Sequence, residues 1–294
     1  MDIISSKLND RQREAVLAED GPVLVLAGAG SGKTSVLTNR LAYLVKEKGI
    51  RPHSIMAITF TNKAAREIRE RVGRIFGESI WFPWAGTFHS ICLKMLRMYP
   101  ESLGYRPGFA IYDQDDQATL VRDCLKELNM DSKIFPPKMI VHHISRAKDE
   151  LIDPKKFKES NAGDYKMSGV AEVYELYQKH MLENNAMDFG DLIFNAVLML
   201  ENFANIRSYF QNAFRHILID EYQDTNLAQY RLANILSQIH GNIFVVGDDD
   251  QSIYGWRGAD IRNILEFEKD YMGCRVIKLE QNYRSTKNIL AAAN

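Results

Sequence analysis

A glycine-rich run near the amino end has the residue types and the spacing needed to bind a phosphate chain. The run is Ala27-Gly28-Ala29-Gly30-Ser31-Gly32-Lys33-Thr34, and it stands between an apolar segment and a helical pattern. Glycines allow successive backbone N–H groups to curl around a phosphate, and the start of a helix adds a positive field. Lys33 can reach the β- and γ-phosphates of a nucleotide, and the hydroxyl of Thr34 can ligate Mg²⁺.

This phosphate loop, residues 27–34, has two alternative interpretations. A glycine-rich turn without a ligand is disfavoured, because an apolar strand pattern precedes the run and a helical pattern follows it. A dinucleotide-binding G-x-G-x-x-G motif fails, because Lys33 occupies the third glycine position. Ala27 stands where a glycine is usual, and a residue this small still permits the turn.

An acidic pair follows a second apolar run and supplies the other groups that nucleotide hydrolysis requires. Asp220 and Glu221 come directly after His216-Ile217-Leu218-Ile219. Asp220 would hold a metal ion, and Glu221 would polarise the attacking water. An ordinary acidic junction between strand and loop is the alternative, and it is disfavoured because a phosphate loop lies upstream.

A third segment, Gly247 to Ala259, combines a polar residue with aromatic side chains in a glycine-flanked loop. Gln251 could contact a γ-phosphate, while Tyr254, Trp256 and Arg257 could contact a neighbouring ligand. Stacking on such rings suits single-stranded bases and contributes roughly 1–3 kcal/mol per base. Packing of the rings in a core is the alternative.

Apolar runs that alternate with helical patterns must position these groups. The runs cover residues 23–26, 55–60, 85–88, 216–220, 243–247 and 275–279. Near-continuous apolar strands separated by helices predict a parallel sheet covered on both faces, so the fold class is α/β. From about Tyr112 to Asn205 the periodicity is mainly helical, which predicts a helical subdomain inserted into the α/β domain.

The composition narrows the class of protein. The chain of 294 residues is 46% apolar and 26% charged, which excludes a disordered, collagenous or coiled-coil chain. No apolar run approaches the roughly 18 residues that span a bilayer, and the amino end does not look like a secretory signal. Three dispersed cysteines suit a reduced, cytoplasmic setting. With a net charge of -1, any nucleic-acid contact must come from a local groove.

Seven segments in this order resemble the superfamily 1A DNA helicases of the UvrD/PcrA/Rep type. The resemblance covers essentially the whole chain, and several matches are long and near-literal. Besides the phosphate loop, the matching segments are Leu8 to Val16, Ile58 to Ala65, Gly86 to Ser90, Asp220 to Asn226, Gly247 to Ala259 and Leu279 to Ser285.

The resemblance implies a role for each matching residue. Gln12 would hydrogen-bond adenine, Tyr283 would stack on the base, and Arg284 would reach the γ-phosphate alongside Gln251. Ser35 stands where some relatives place an arginine that faces the adenine, and it is therefore counted among the nucleotide-binding residues. Because a serine is shorter than an arginine, binding of the adenine would depend more on Gln12 and Tyr283. The residues that would contact single-stranded DNA are Phe60, Thr61, Asn62, Thr87, His89, Phe189, Tyr254, Trp256 and Arg257.

The resemblance also implies a domain plan. A RecA-like domain would comprise residues 1–108 and 188–284, interrupted by a helical subdomain at 109–187. Residues 285–294 would lead toward a second motor domain that lies outside this sequence. Metal ligation would fall to Thr34, Asp220 and Glu221.

The implied function is ATP- and Mg²⁺-dependent movement along single-stranded DNA in the 3′ to 5′ direction. That movement would unwind duplex DNA at junctions during repair or replication. Two alternatives stay open: a module that binds ATP and single-stranded DNA without efficient turnover, and part of a helicase–nuclease subunit. From composition alone, Phe60 would be assigned to the core and His89 to a capping or core position, while His142-His143 would have a structural role.

Overall fold

The computed structural model of the chain describes residues 8–77, 81–248 and 259–283. Within these ranges the chain divides into two compact units. The first comprises the described residues of Met1–Ile91, Asn205–Thr225 and Ala233–Asn294, and the second comprises Cys92–Ala204 and Asn226–Leu232. A mainly helical segment thus interrupts a unit built on a sheet, while the domain boundaries expected from the sequence stay a prediction.

A six-stranded parallel sheet forms the centre of the first unit. Its order is β3-β2-β6-β7-β1-β8, and each pair of neighbouring strands is parallel. The strands are β1 (Val23–Ala27), β2 (Ile55–Thr59), β3 (Ala85–Thr87), β6 (His216–Ile219), β7 (Ile243–Gly247) and β8 (Arg275–Leu279). The six predicted strands and the α/β class are confirmed. Four of them, β1, β2, β6 and β7, are almost wholly buried, as parallel strands covered on both faces require.

Thirteen helices are present in the described ranges. They are α1 (Asp10–Leu17), α2 (Lys33–Lys46), α3 (Asn62–Phe76), α4 (Phe88–Met98), α5 (Gln114–Glu127), α6 (Pro137–Asp149), α7 (Pro154–Ser160), α8 (Tyr165–Glu183), α9 (Phe189–Asn202), α10 (Ala204–Ala213), α11 (Leu227–Ser237), α12 (Arg262–Leu265) and α13 (Phe267–Asp270). Three short 3₁₀ turns accompany them, at Pro52–Ser54, Pro100–Leu103 and Tyr222–Asp224. The apolar face of α2 packs on the sheet, where it contacts β7, and Leu37, Leu41 and Leu44 are buried in the core that includes Val25 and Val246.

The second unit has a helical core of its own. The core is made chiefly by α5, α6 and α8, and Tyr174, Tyr177 and Ile140 are fully buried in it. The sequence pattern predicted a mainly helical segment here and no strand, yet β4 (Ala110–Tyr112) pairs in parallel with β5 (Ala186–Asp188). Strands of three residues are too short to give a period-2 signal, which explains why the sequence pattern did not show them.

None of the helices in the described ranges has the length and apolarity needed to cross a bilayer.

Candidate functional site

The phosphate loop connects the end of β1 to the start of α2, as the sequence predicts. Gly30 and Gly32 have φ angles of 74° and 91°, a conformation that favours glycine. A Cβ atom on Gly32 would lie 2.7 Å from Nε2 of Gln12. Gly32 is the N-cap of α2, and no side-chain hydrogen bond from this residue caps the first N–H groups of the helix. This arrangement fits an anion.

Lys33 lies next to the acidic residues. Its Nζ donates to Oε2 of Glu221 at 2.9 Å and is 3.9 Å from Oδ2 of Asp248. The strand order explains this approach, because β6, β7 and β1 are neighbours and their carboxyl ends meet at one edge of the sheet. The lysine side chain is only 10% exposed. A buried ammonium that faces two carboxylates can also bind the oxygens of a phosphate chain.

Asp220 and Glu221 follow β6, where the sequence places them. Asp220 is buried, and its backbone N–H donates to the carbonyl of Ile58 at 2.9 Å. Burial, followed by the charge of Glu221, raises the pKa of Asp220 to about 7. A cation beside this carboxylate would favour its ionised form, so the site fits a metal ion.

The donor set suits Mg²⁺ better than a metal held by protein alone. Across 8–77, 81–248 and 259–283, no group of three or more His, Cys, Asp and Glu side chains could hold a metal ion. Mg²⁺ typically takes one or two carboxylates and completes its shell with phosphate oxygens and water. Asp220 and the hydroxyl of Thr34 are the residues that could hold it.

Gln223 belongs to this site, although the sequence analysis did not select it. Its Oε1 accepts from the backbone N–H of Asp248 at 3.0 Å, and its Nε2 donates to Oε2 of Glu221 at 3.0 Å. The side chain is buried. One amide thus connects the acidic pair after β6 to the end of β7. Gln223 lies within the matching segment Asp220 to Asn226, but the bridge depends on the pairing of two strands, which that match does not record.

Gln12 and Tyr283 both lie against the phosphate loop. Nε2 of Gln12 donates to the carbonyl of Ser31 at 2.8 Å, while its Oε1 accepts from the backbone N–H of Asn9 at 3.1 Å. The N–H of Tyr283 donates to the carbonyl of Gly30 at 2.9 Å, and its hydroxyl accepts from Nδ2 of Asn9 at 2.7 Å. Asn9 therefore joins the two predicted base-binding residues.

Two further residues support this side of the loop. Asn282, which the sequence analysis did not select, donates from Nδ2 to the carbonyl of Ala29 at 2.6 Å. Ser35 lies in the first turn of α2, and both its carbonyl and its hydroxyl accept from Nδ2 of Asn39. Ser35 thus bonds to a residue of its own helix.

The strand-contact residues of the first unit gather at the ends of β2 and β3. Phe60 is partly buried and packs edge-to-face on Phe88, with ring centroids 5.9 Å apart. Thr61 caps α3 by accepting from the N–H of Ala64, and Asn62, the first residue of α3, is exposed. The partial exposure of Phe60 leaves part of its ring available for a ligand, which a wholly buried core residue would lack.

Thr87 and His89 belong to the neighbouring strand end. The hydroxyl of Thr87 accepts from the N–H of Ser90 at 3.2 Å. His89 is partly buried, and burial lowers the pKa of its imidazole. The side chain is therefore suited to hydrogen bonding as a neutral ring.

The other predicted residues are placed differently. Phe189 belongs to the second unit, where it opens α9 and is 52% exposed. Five more lie outside the described residues: Gln251, Tyr254, Trp256, Arg257 and Arg284.

Comparison with known proteins identifies the family of the chain. The model of the UvrD/REP helicase N-terminal domain matches residues 8–272. The chain is 50% identical over 294 residues to the ATP-dependent DNA helicase PcrA of Staphylococcus aureus. It is 49% identical over the same length to the protein of that name from Staphylococcus epidermidis. All of this chain is covered in both cases, but it spans only about 40% of the length of these relatives. The chain therefore belongs to the family of UvrD/REP helicase N-terminal domains.

Proposed function

We propose that the chain supplies the nucleotide site and part of the DNA track of a 3′ to 5′ DNA helicase. The observation that carries this proposal is the approach of Lys33 to Glu221 at 2.9 Å across the edge of the sheet. A phosphate-binding lysine and a carboxylate able to polarise water are the two groups that phosphoryl transfer to water requires. The PcrA relatives, named ATP-dependent DNA helicases, support the same assignment.

ATP is the proposed nucleotide. Residues 27–34 would surround its phosphates, Lys33 would bind the β- and γ-phosphates, and Gln12 with Tyr283 would hold the base. Mg²⁺, held by Thr34 and Asp220 with Glu221 beside it, would neutralise charge on the phosphates when bound. Gln251 and Arg284, which lie outside the described residues, would contact the γ-phosphate on the strength of the family resemblance.

The ion pair suggests how binding prepares hydrolysis. A γ-phosphate that bonds to Lys33 competes with the carboxylate of Glu221 for the same ammonium. Glu221 would then lose one partner and keep the amide of Gln223, which holds its Oε2 at 3.0 Å. The freed carboxylate can accept a proton from the attacking water.

Single-stranded DNA is the proposed polymer, with duplex junctions as the site of unwinding. In the first unit, Phe60 would stack on a base, while Thr61, Asn62, Thr87 and His89 would bond to the strand. In the second unit, Phe189 would offer its exposed ring to another base. Tyr254, Trp256 and Arg257 join this set through the resemblance. The setting would be cytoplasmic, where the three free cysteines stay reduced.

The phosphate-loop assignment is tested with Lys33→Ala in the full-length protein. We expect ATP hydrolysis to fall below detection, because the charge that faces the γ-phosphate is gone, while the circular-dichroism spectrum stays unchanged. Lys126→Ala is the matched control, since Lys126 is a 78% exposed lysine of the second unit. Normal hydrolysis by the Lys33 variant would refute the proposal.

A second candidate is a module that binds ATP and single-stranded DNA without efficient turnover. The coverage of the relatives, about 40% of their length, favours it for the 294-residue chain on its own. Rapid strand separation by the isolated chain would exclude this candidate.

A further inference from the structure

A buried ion cluster in the second unit lies outside the proposed nucleotide site. Nζ of Lys148 is 2.7 Å from Oδ2 of Asp188 and 2.8 Å from Oδ1 of Asp191. The three residues are at most 3% exposed. Burying charged groups costs free energy, and replacing such a cluster with apolar residues often leaves stability unchanged or improved. Stability alone is therefore a weak reason for this cluster.

The carboxylate oxygens of the cluster are all bonded. Oδ2 of Asp188 also accepts from the hydroxyl of Tyr177 at 2.9 Å, and Oδ1 of Asp191 accepts from Nε2 of Gln178 at 3.0 Å. The remaining two oxygens accept backbone N–H groups in a reciprocal capping box between Asp188 and Asp191. A cluster in which each carboxylate oxygen is bonded is rigid and holds one geometry.

One exposed residue, Phe189, stands between Asp188 and Asp191 in the chain. Asp188 ends β5 and caps α9, so Phe189 is the first residue of the helix that the cluster fixes. A Cβ atom on Gly190 would lie 3.0 Å from Cδ of Lys148, which shows how closely the lysine stem packs against the backbone next to Phe189. The cluster itself is buried, whereas Phe189 is 52% exposed.

We propose that Lys148 is a positioning residue that holds Phe189 in the orientation needed to stack on a base of single-stranded DNA. The ammonium draws Asp188 and Asp191 together, and these two carboxylates set the turn that presents the ring. This inference rests on the proposed DNA contact of Phe189. It assigns a function to a buried lysine that takes no part in nucleotide hydrolysis.

The test measures binding of a fluorescent oligothymidylate by anisotropy in the full-length protein. The main variant combines Lys148→Met with Asp191→Asn, because this pair removes the ammonium, keeps the formal charge of the cluster at -1 and retains the stem that packs on Gly190. We expect about five- to tenfold weaker binding, within the range that one stacked base contributes. Lys126→Met combined with Asp123→Asn, at an exposed ion pair of the same unit, is the matched control because it also leaves the net charge unchanged.

A cycle with Phe189→Ala separates positioning from general destabilisation. If Lys148 acts through the ring, the double change has no further effect once the ring is removed. The proposal would be overturned if the Lys148 double variant bound DNA as tightly as the Lys126 control. It would also be overturned if the losses of affinity caused by the double variant and by Phe189→Ala multiplied when combined.

Hydrogen exchange gives a readout that does not depend on DNA. We expect faster exchange confined to residues 186–192 in the double variant, whereas faster exchange throughout the second unit would contradict a positioning role. If Phe189→Ala leaves DNA binding unchanged, the proposed DNA contact fails and the proposal falls with it. The exchange data then still decide whether Lys148 fixes this turn.

Discussion

The ammonium of Lys33 lies 2.9 Å from the carboxylate of Glu221, although 188 positions separate the two residues in the sequence. The parallel order of β6, β7 and β1 brings them together, because the loops after these strands share one edge of the sheet. The pair places a phosphate-binding group beside a group that can take a proton from water. The effects of this arrangement on nucleotide binding and on nucleotide hydrolysis can be measured separately.

Glu221→Gln should abolish most hydrolysis while leaving nucleotide binding in place. The amide keeps the size of the side chain and can still accept from Gln223, but it cannot take a proton from water. We expect kcat to fall by about 10²–10⁴-fold, the usual contribution of a general base. Steady-state hydrolysis and equilibrium binding of a nonhydrolysable ATP analogue provide the two measurements.

Glu201→Gln is a suitable control for the Glu221 variant, because Glu201 pairs with Arg231 in the second unit. Its hydrolysis rate should match that of the unchanged protein. Retention of full hydrolysis by Glu221→Gln would show that another group activates the water.

Gln223→Met should lower kcat more than it changes KM. The substitution has a similar volume but removes all the hydrogen bonds of the amide. These are the bonds that its Nε2 donates to Glu221 and Asp224, and the bond that its Oε1 accepts from the N–H of Asp248. Glu221 would then be held less firmly, and a buried backbone N–H would be left without its acceptor. We expect about a five- to twentyfold loss of kcat, because roughly 1–2 kcal/mol of positioning is removed.

Gln114→Met, at an exposed glutamine that opens α5, controls for the loss of an amide. A rise in KM with unchanged kcat in the Gln223 variant would contradict a role in holding Glu221. In that case the bridge would serve ground-state binding.

The sequence was sufficient to predict the sheet and the phosphate loop, but not the side-chain hydrogen bonds that connect separate segments of the site. Strong apolar runs predict β1 and β6, and the spacing of glycines predicts the turn before Lys33, because these signals are local. The contacts made by Gln223 and Asn9 are not local. They depend on strand order and on the packing of α1 against the loop, which no period in the sequence records.

The second unit shows the same limit. Helical periods indicate its helices correctly, but β4 and β5 are only three residues long and lie 76 positions apart from Ala110 to Ala186. The importance of Lys148 is equally invisible in the sequence, because lysine is normally an exposed residue. Only the fold shows that it is buried between two carboxylates.

Gly32→Ala should weaken nucleotide binding and destabilise the protein. The φ angle of 91° at Gly32 is unfavourable for any residue with a Cβ atom, and that atom would meet Nε2 of Gln12 at 2.7 Å. Gln12 would have to give up its bond to Ser31. We expect a loss of about 1–2 kcal/mol in the free energy of unfolding, measured by urea denaturation.

Gly28→Ala is the matched control in the same loop. Gly28 does not have a positive φ angle, and no atom lies within 4 Å of the position that its Cβ would take. The free energy of unfolding of the Gly28→Ala variant should stay within about 0.5 kcal/mol of that of the unchanged protein. Equal losses for the two glycines would show that the strain at Gly32 is not the cause.

Asp149→Asn should stabilise the protein at neutral pH but not in acid. Oδ1 of Asp149 accepts from Nδ2 of Asn226 at 2.7 Å, and an asparagine keeps this acceptor. Burial, followed by the charge of Glu150, raises the pKa of Asp149 from 3.8 to about 6. The folded state therefore binds this proton more tightly than the unfolded state. The stabilising contribution of the protonated Asp149 carboxyl is complete below pH 3.8 and is lost as the pH rises through about 6.

Above that pH the ionised carboxylate opposes folding, whereas the amide of the variant stays neutral. The free energy of unfolding of the variant, relative to that of the unchanged protein, should therefore rise by about 1 kcal/mol between roughly pH 4.5 and pH 7.5, after allowance for solvent screening. Urea denaturation at several pH values measures this gain. Asp123→Asn, at a 58% exposed carboxylate of the same unit, is the control for the loss of a carboxylate. A constant difference for Asp149→Asn would mean that its carboxylate is not destabilised by burial.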